Sequence, residues 1–453
     1  MPEGCRYYRG PYSSRFGIYA MDAEGRRELL AFDWGNHCMQ PIAVKPRPGP
    51  VKRFVKKTDY SKGFGVYYVQ NVYHGAAVEG LEPGSVERIR VIALEYRPVH
   101  IGWNWQCGWH SSQGKIGTPI AVGNGCYDVK HVFGDAIVEK DGSCMFRCPS
   151  RAPVYFQLID RNGLCLQTMR SWSLLQPGEE NGCIGCHERL NEAPPVRRTI
   201  ASGKPPQDLV PAIPGTPRHP LVERLEREGP LASLDNWMGV NRPMKADVAF
   251  TVAKGIDPEE KGDGVGFVKD IQPIFNRSCV RCHDGSNALM DLRDVPGKLP
   301  PTDDKSMRGY SKAYLNFTEK GKGTDNINFA HGLGFAAFKP PKSFGAIRSK
   351  WYLMLADGHK DGSGKPRVAL TDAERRTLAM WIDLAVPYCS AYTERHMWSA
   401  WHQQRYLYTY DKRIFSYWLE LDEIRREKGL GPVEMKGFVP NVTEPRKQRS
   451  WHE

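Results

Sequence analysis

The sequence contains no run of 18 or more apolar residues, so its hydropathy predicts no transmembrane helix. It also lacks the spacing of a helix-turn-helix or a zinc finger, so its net charge of +12 does not indicate nucleic-acid binding. Lysine and arginine are spread along the chain, with mild clusters at 45–57 and 424–449. This pattern is typical of a solvated basic surface or, alternatively, of a surface that docks an acidic protein.

A signal peptide is also missing from the start of the sequence. The first ten residues, MPEGCRYYRG, contain no basic segment followed by an apolar one. The motifs described below are typical of exported proteins. We therefore expect either a mis-assigned start or a fragment of a longer chain.

The length of 453 residues predicts two to four domains, and the many glycines and prolines predict a loop-rich protein. Twelve cysteines is a high count, and four of them lie in two repeated motifs. Some of the others are conceivable disulfide partners in an oxidising compartment. The conceivable pairs join Cys107 to Cys126, and Cys144 to Cys148 or Cys165. Buried free thiols are the alternative.

The N-terminal part of the chain is rich in strand patterns. Residues 1–42 contain a strand-turn-strand segment at 16–33, and residues 43–60 are proline-rich and basic, as in an extended linker. Residues 61–180 are rich in Val, Ile and Tyr, with hairpin signals at 141–142 and 162–163. We predict a β-rich middle domain here, either a sandwich or a barrel.

The C-terminal part of the chain has a different sequence pattern, in which helix signals replace strand signals. Residues 181–261 show little periodicity, whereas 262–395 follow a helical pattern in which Asp270 is a plausible N-cap. Thr371 and Glu374 form a capping-box pattern at the start of a helix over 371–386. Residues 396–453 form a basic, aromatic extension with one helical stretch near 412–428. The predicted fold class is multidomain α+β, with the β-rich domain followed by an irregular segment and an α-helical domain.

One motif occurs twice, as CIGCH at 183–187 and CVRCH at 279–283. Two cysteines at this spacing can form thioether bonds to the two vinyl groups of one haem, and the histidine that follows lies under the iron. This is the signature of covalent c-type haem attachment. We predict two covalent haems, the first held by Cys183, Cys186 and His187 and the second by Cys279, Cys282 and His283.

The two motifs have three alternative explanations. Zinc sites use similar cysteine pairs, but these two pairs lie about a hundred residues apart, wider than zinc-site spacing. A thioredoxin-like redox pair needs a βαβ context, which the sequence does not show. Disulfide pairing is the third alternative. The repeated trailing histidine favours haem over all three.

The second axial ligand decides whether a haem iron is saturated or open to small molecules. For the second haem we predict His359, which follows a helix that Ser349 caps and Gly358 ends, with His331 as the rival. For the first haem the sequence offers no comparable residue. Weak candidates are Met169, His100, His110 and His131. The first iron is therefore the better candidate for an accessible site.

Residues 132–188 resemble the middle region of the hydrazine synthase alpha subunit family. The shared features are Asp141-Gly142-Ser143, Met169-Arg170-Ser171, Pro177-Gly178-Glu179 and the first haem motif, in that order. The segments DIQPIFNRSCVRCH, PPKSFGAIRSKWYLMLADGH and WIDLAVPYC look like the C-terminal cytochrome c domain of the same group. The resemblance covers roughly 60–395.

The resemblance implies that 262–395 is a cytochrome c-like domain and that His359 is the distal ligand of its haem. It also implies that 1–42 is the end of a β-propeller. Family members place a tyrosine ligand a few residues beyond the first haem's histidine, and here Asn191 stands four residues beyond His187.

We expect a dihaem cytochrome that is exported to the periplasm or an equivalent compartment and transfers electrons to a redox partner protein. If the basic surface docks this partner, the partner is acidic. One alternative is a haem enzyme that acts on a small nitrogen or oxygen species at the first haem. The other is an interaction protein in which haem is structural. The sequence identifies no catalytic side chain, and oligomeric state is not predicted.

Overall fold

The computed structural model divides the chain into two compact units, residues 1–57 and 58–453. The predicted domain boundaries inside the larger unit stay predictions. Not every residue is described. The described residues are 17–32, 38, 59, 62–94, 129–169, 171–186, 197–223, 263–287, 289–297, 310–318, 340–391, 394, 426 and 429.

In the first unit, the predicted strand-turn-strand segment forms a hairpin. Strands β1 (Ile18–Met21) and β2 (Arg27–Ala31) pair in antiparallel fashion. The Asp22 carboxylate accepts hydrogen bonds from the backbone of Glu24 and Arg26, which closes the turn, as aspartate commonly does at this position. The hairpin leaves Met21 and Leu30 exposed.

The second unit contains the predicted β-rich region, which consists of two sheets. The three-stranded sheet has the order β6-β3-β9, in which β3 (Phe64–Val69) pairs antiparallel with β6 (Cys144–Pro149) and parallel with β9 (Glu180–Cys183). The four-stranded sheet is antiparallel throughout and has the order β5-β4-β7-β8. Its strands are β4 (Arg88–Leu94), β5 (Lys130–Ile137), β7 (Val154–Ile159) and β8 (Cys165–Thr168).

An aromatic cluster joins the two sheets. Burial alternates along β3, so that Tyr67 points into the core, as expected for a strand with one buried face. The Tyr67 ring meets the Phe156 ring of the other sheet edge-on, with ring centroids 5.0 Å apart. The Phe146 ring also meets the Phe156 ring edge-on, with ring centroids 5.7 Å apart. The two sheets therefore share one hydrophobic core.

The hairpin signal at 162–163 is confirmed, since β7 and β8 pair in antiparallel fashion, whereas the signal at 141–142 is wrong, because the strands on either side of that turn belong to different sheets. The turn at Asp141 and Gly142 connects β5 to β6, and Gly163 lies with φ +86° in the turn that connects β7 to β8. Cys144, Cys148 and Cys165 are buried free thiols, so the conceivable disulfides among them are not formed. Burial raises the pKa of each of these thiols, because it disfavours the thiolate. Cys107 and Cys126 lie outside the described residues.

The helices are few and short within the described ranges. They are α1 (Gln272–Ser278), α2 (Lys312–Thr318), α3 (Lys350–Ala356) and α4 (Asp372–Asp383). Ser349 caps α3 by accepting a hydrogen bond from the Tyr352 amide, and Thr371 forms the predicted capping box with Glu374. These caps are confirmed; that the helices form a cytochrome c-like domain stays a prediction.

The predicted N-cap role of Asp270 is wrong. A π-helical turn, Phe267–Ile271, precedes α1, so helical backbone begins before Asp270. The Asp270 carboxylate instead accepts a hydrogen bond from the Gly266 amide at 2.9 Å, which caps the earlier turn. The predicted helical stretch near 412–428 lies outside the described residues, apart from position 426.

Buried polar contacts attach α4 to the four-stranded sheet. The Lys130 ammonium of β5 donates to the Leu384 carbonyl at 2.8 Å, and the Gln157 amide of β7 donates to the Asp383 carbonyl at 2.8 Å. The Asp383 carboxylate accepts backbone hydrogen bonds from Cys165, at 3.1 Å, and Ala346, at 2.8 Å. The C-terminal end of α4 is thereby held on the four-stranded sheet.

This attachment predicts a pH-dependent stability. Burial raises the pKa of Asp383 to about 7. The two backbone hydrogen bonds and the nearby Arg90 lower this pKa, but burial has the larger effect. Because the folded-state pKa exceeds the unfolded one, the contribution to stability is complete below about pH 4 and is lost as the pH rises toward 7. The loss is on the order of 4 kcal/mol. Urea unfolding across this range should show it as a difference between wild type and Asp383→Asn.

The pH slope is the readout, because Asp383→Asn also disturbs the two backbone bonds at every pH. Asp372→Asn is the matched control, since Arg376 lowers the pKa of this exposed carboxyl. Asp372→Asn should change the slope of stability against pH only slightly, and in the direction opposite to the change caused by Asp383→Asn. Equal slopes for wild type and Asp383→Asn would contradict the prediction.

Candidate functional site

The second motif begins at the end of α1. The Cys279 amide donates to the Phe275 carbonyl at 2.8 Å, and the amides of Cys282 and His283 both donate back to the Cys279 carbonyl at 3.0 Å. The helix therefore ends in a tight turn that contains both cysteines and the histidine. Cys279 is buried and Cys282 is exposed, which places one edge of the site at the protein surface.

A backbone carbonyl fixes the orientation of the His283 ring. The His283 Nδ1 lies 2.9 Å from the carbonyl oxygen of Met290, and because a carbonyl can only accept, Nδ1 carries the proton. The neutral ring then presents an unprotonated Nε2. This is the arrangement by which proteins orient a histidine that binds a metal.

His359 lies opposite this ring, as the sequence predicted for a second axial ligand. Helix α3 ends at Ala356, and Gly358, with φ +84°, terminates its last turn. His359 follows with φ +47°, in the left-handed region that glycine favours and histidine tolerates. The His359 amide donates to the Met354 carbonyl at 2.8 Å, which closes the helix end. The centroids of the His283 and His359 rings are 6.3 Å apart.

This separation fits one metal ion between two imidazoles. A metal–nitrogen bond of about 2.0 Å, with about 1.2 Å more to each ring centroid, gives roughly 6.4 Å between centroids. Partial burial, Arg367 and His283 together lower the pKa of His359, which favours the neutral ring, the form that binds metal. The described residues thus fit a haem with two histidine ligands at the second motif.

The first motif is attached to the end of β3. Strand β9 ends at Cys183, and the parallel pairing continues beyond it. The Gln70 amide donates to the Cys183 carbonyl at 2.9 Å, and the Cys186 amide donates to the His74 carbonyl at 2.8 Å. Segment 70–74 therefore lies alongside 183–186. His187 lies outside the described residues, so its predicted role as proximal ligand stays a prediction.

The structure brings His74 to the first motif, a contact that no sequence pattern predicts. A Cβ at Gly185 would overlap the His74 carbonyl oxygen and lie 2.8 Å from the His74 Cβ. The glycine of CIGCH is therefore required by the close passage of this segment. The contact depends on parallel pairing between strands that lie far apart in the sequence, and no local pattern marks it.

Two other candidates for the second ligand of the first haem, His131 and Met169, are packed in or against the protein core. His131 is buried in the core, where its Nδ1 lies 3.3 Å from the Nε2 of His219. The Leu221 amide donates to Nδ1 of His219, so the His219 Nε2–H donates to His131, and this pairing favours a structural role. Met169 packs against the hydrophobic core. His100, His110 and His331 lie outside the described residues.

Within the described ranges, no group of three or more His, Cys, Asp or Glu side chains could hold a metal ion. The described residues also contain no helix long and apolar enough to cross a membrane.

Comparison with known proteins identifies the relatives of this chain. Residues 84–188 match the family model of the hydrazine synthase alpha subunit middle domain. The hydrazine synthase subunit alpha of Kuenenia stuttgartiensis is 23% identical over 432 residues, which is 82% of this chain and 50% of the relative. The chain thus spans about half the length of the curated relative it matches.

Among solved structures, hydrazine synthase of Kuenenia stuttgartiensis matches with a TM-score of 0.45 and 20% identity, over 74% of this chain and 44% of that one. The resemblance seen in the sequence is confirmed by the family match and the curated relative. This chain is related to the hydrazine synthase alpha subunit, and its residues 84–188 correspond to the middle domain of that family.

Proposed function

We propose that this protein is a c-type dihaem redox enzyme of the hydrazine synthase alpha type. In the proposal, Cys183, Cys186 and His187 would hold a haem that supplies redox chemistry toward a small nitrogen or oxygen species, and the second motif would hold a haem that supplies electron transfer. The observation that carries the redox role is the pair of rings, His283 and His359, whose centroids lie 6.3 Å apart. The relation of 84–188 to the middle domain of hydrazine synthase alpha favours a reaction at the first haem.

The side chains of the second site have defined roles in the proposal. Cys279 and Cys282 would hold the haem by thioether bonds, and His283 and His359 would ligate its iron. Bound haem supplies one-electron redox chemistry. The Met290 carbonyl keeps His283 in the tautomer that binds metal, and burial of Cys279 keeps water from one side of the site. A haem held by both histidines would supply electron transfer at this site and would not bind a substrate there.

The first site is proposed to do the chemistry. Cys183 and Cys186 would attach the haem to the edge of the three-stranded sheet, and His187 would be its proximal ligand. Segment 70–74 holds the attachment loop through backbone hydrogen bonds, which leaves the loop's side chains to the haem. An open axial position on this iron is what distinguishes the proposal from simple electron transfer.

A pure electron carrier is the second candidate. It is favoured by the geometry of the second site and by the buried attachment of α4 to the sheet, which keeps both motifs within one compact unit. A structural role for haem is the third, and a redox potential outside the physiological range would favour it. In all three, we propose an exported, periplasmic location and a redox partner protein.

The test is to count the haems and then ask which iron is open. Protein secreted from a host with c-type maturation should give two haems per chain by pyridine haemochrome, and Cys183→Ala/Cys186→Ala and Cys279→Ala/Cys282→Ala should each remove one. Carbon monoxide added to the reduced protein should bind one haem, and only when Cys183 and Cys186 are intact.

Each outcome of this experiment decides between the readings. Two haems without any carbon monoxide shift would replace the enzyme proposal with the electron carrier. No covalent haem would return the four cysteines to zinc or disulfides.

A further inference from the structure

The exposed edge of the second site is lined by two arginines from different loops. Arg281 lies inside the motif, between the two cysteines, and Arg367 lies in the loop that follows His359. The Arg281 guanidinium donates a hydrogen bond to the Arg367 carbonyl oxygen. The Arg367 amide in turn donates to the Gly358 carbonyl at 2.9 Å, next to His359. Both arginine residues and Cys282 are exposed.

The acidic side chains of this surface are already engaged. Asp357 pairs with Lys360 at 2.7 Å. The Asp361 carboxylate turns into its own loop, where the same oxygen accepts hydrogen bonds from the amides of Ser363, at 2.9 Å, and Lys365, at 3.0 Å. By contrast, within the described residues no ion pair is formed by Arg281, Arg367 or Lys365.

A large apolar side chain is exposed in the loop that follows the motif. Leu289 is 53% exposed and lies between His283 and Met290. The side-chain amide of Asn287 in the same loop donates to the Cys282 carbonyl at 3.1 Å, which holds the loop against the motif. The carboxylates of this loop are engaged as well, since Asp284 accepts hydrogen bonds from Ser286 and Asp291 pairs with Arg293. The exposed leucine adds apolar area to an edge that carries two exposed arginines.

We propose that Arg281, Arg367, Lys365 and Leu289 form a docking surface for an acidic redox protein, which exchanges electrons with the second haem across the edge that Cys282 exposes. The inference rests on the proposed function, because it needs haem at the second motif. One electron passes between the partners: one is oxidised as the other is reduced, and no bond or proton is transferred. Charge of one sign steers an oppositely charged partner to the surface and loses this effect at high salt.

The test uses charge reversal. Arg281→Glu/Arg367→Glu is compared with Arg27→Glu/Lys140→Glu, which makes the same change in net charge on β2 and in the β5–β6 turn. Poly-L-glutamate serves as the acidic polypeptide, and its affinity is measured by calorimetry. Oxidation of the reduced second haem is followed by stopped flow with ferricyanide, an anion, and with tris(phenanthroline)cobalt(III), a cation.

The docking surface predicts opposite changes for the two reagents. At low salt, Arg281→Glu/Arg367→Glu should weaken poly-L-glutamate binding and slow the oxidation of the second haem by ferricyanide about tenfold. Oxidation by the cobalt complex should become faster in the same variant. At high salt these differences should vanish. The control pair should leave all three unchanged. Changes of the same sign with both reagents would overturn the inference, because they would report an altered potential.

Two further results would also overturn it. The first is unchanged affinity and rates in a protein that carries both haems, which would leave the proposed function intact. The second is binding to phosphatidylserine vesicles that needs both arginines while poly-L-glutamate affinity does not, which would assign the surface to a membrane. A haem count that lacks the second haem would overturn the proposed function and the docking surface together.

Discussion

His359→Ala should convert the second haem from a low-spin to a high-spin iron without loss of haem. The ring of His359 lies 6.3 Å from that of His283, centroid to centroid, and within the described residues it is the imidazole positioned to complete the axial pair. Its removal opens one axial position, so the reduced protein should bind one more carbon monoxide per chain. Electron paramagnetic resonance of the ferric protein and a carbon monoxide titration measure the two effects.

Two variants serve as controls for this change. Lys360→Ala removes the neighbouring side chain, which pairs with Asp357, and should leave the spin state unchanged. His331→Ala removes the rival ligand. If His331→Ala produces the high-spin signal and His359→Ala does not, the assignment of the ligand is wrong.

Gly185→Ala should abolish attachment of the first haem while the second is retained. The added methyl group would overlap the His74 carbonyl oxygen, so the loop could not keep the hydrogen bond from the Cys186 amide to that oxygen. The attachment loop must then move away from segment 70–74. We expect the pyridine haemochrome to fall from two haems per chain to one, with the low-spin signal of the second haem unchanged.

Gly182→Ala is the matched control, three residues earlier on β9. A Cβ at Gly182 would meet only the Tyr68 ring at 3.8 Å, an ordinary contact, so this variant should keep both haems. Loss of haem in both variants would indicate a general requirement for glycine in this strand. Two haems in Gly185→Ala would show that segment 70–74 does not restrain the loop.

Local chemistry made much of this fold predictable. Ser349 and the pair Thr371 and Glu374 mark helix starts because their side chains satisfy amides that the helix leaves open. Gly163 marks a hairpin because its backbone adopts φ +86°. The parts of the second site are marked in the same local way, since the motif follows α1 and His359 follows Gly358 after α3.

The features that were not predictable depend on contacts between distant segments. His74 meets the first motif only through parallel pairing of β3 with β9, and Asp383 meets Cys165 only after α4 packs on the sheet. Asp270 was misassigned because a π-helical turn and an α-helix start look alike in sequence. Arg281 and Arg367 carry no sequence pattern that links them.

The parallel pairing of β3 with β9 also bears on the order of biogenesis. Covalent haem is installed by a maturation enzyme that must reach both cysteines, whereas the finished sheet presses Cys183 and Cys186 against residues 70–74. Strands so distant in sequence join late in folding, because a long loop must close first. The first motif would thus remain accessible in the nascent chain, and closure of β9 would cover it after the haem is attached.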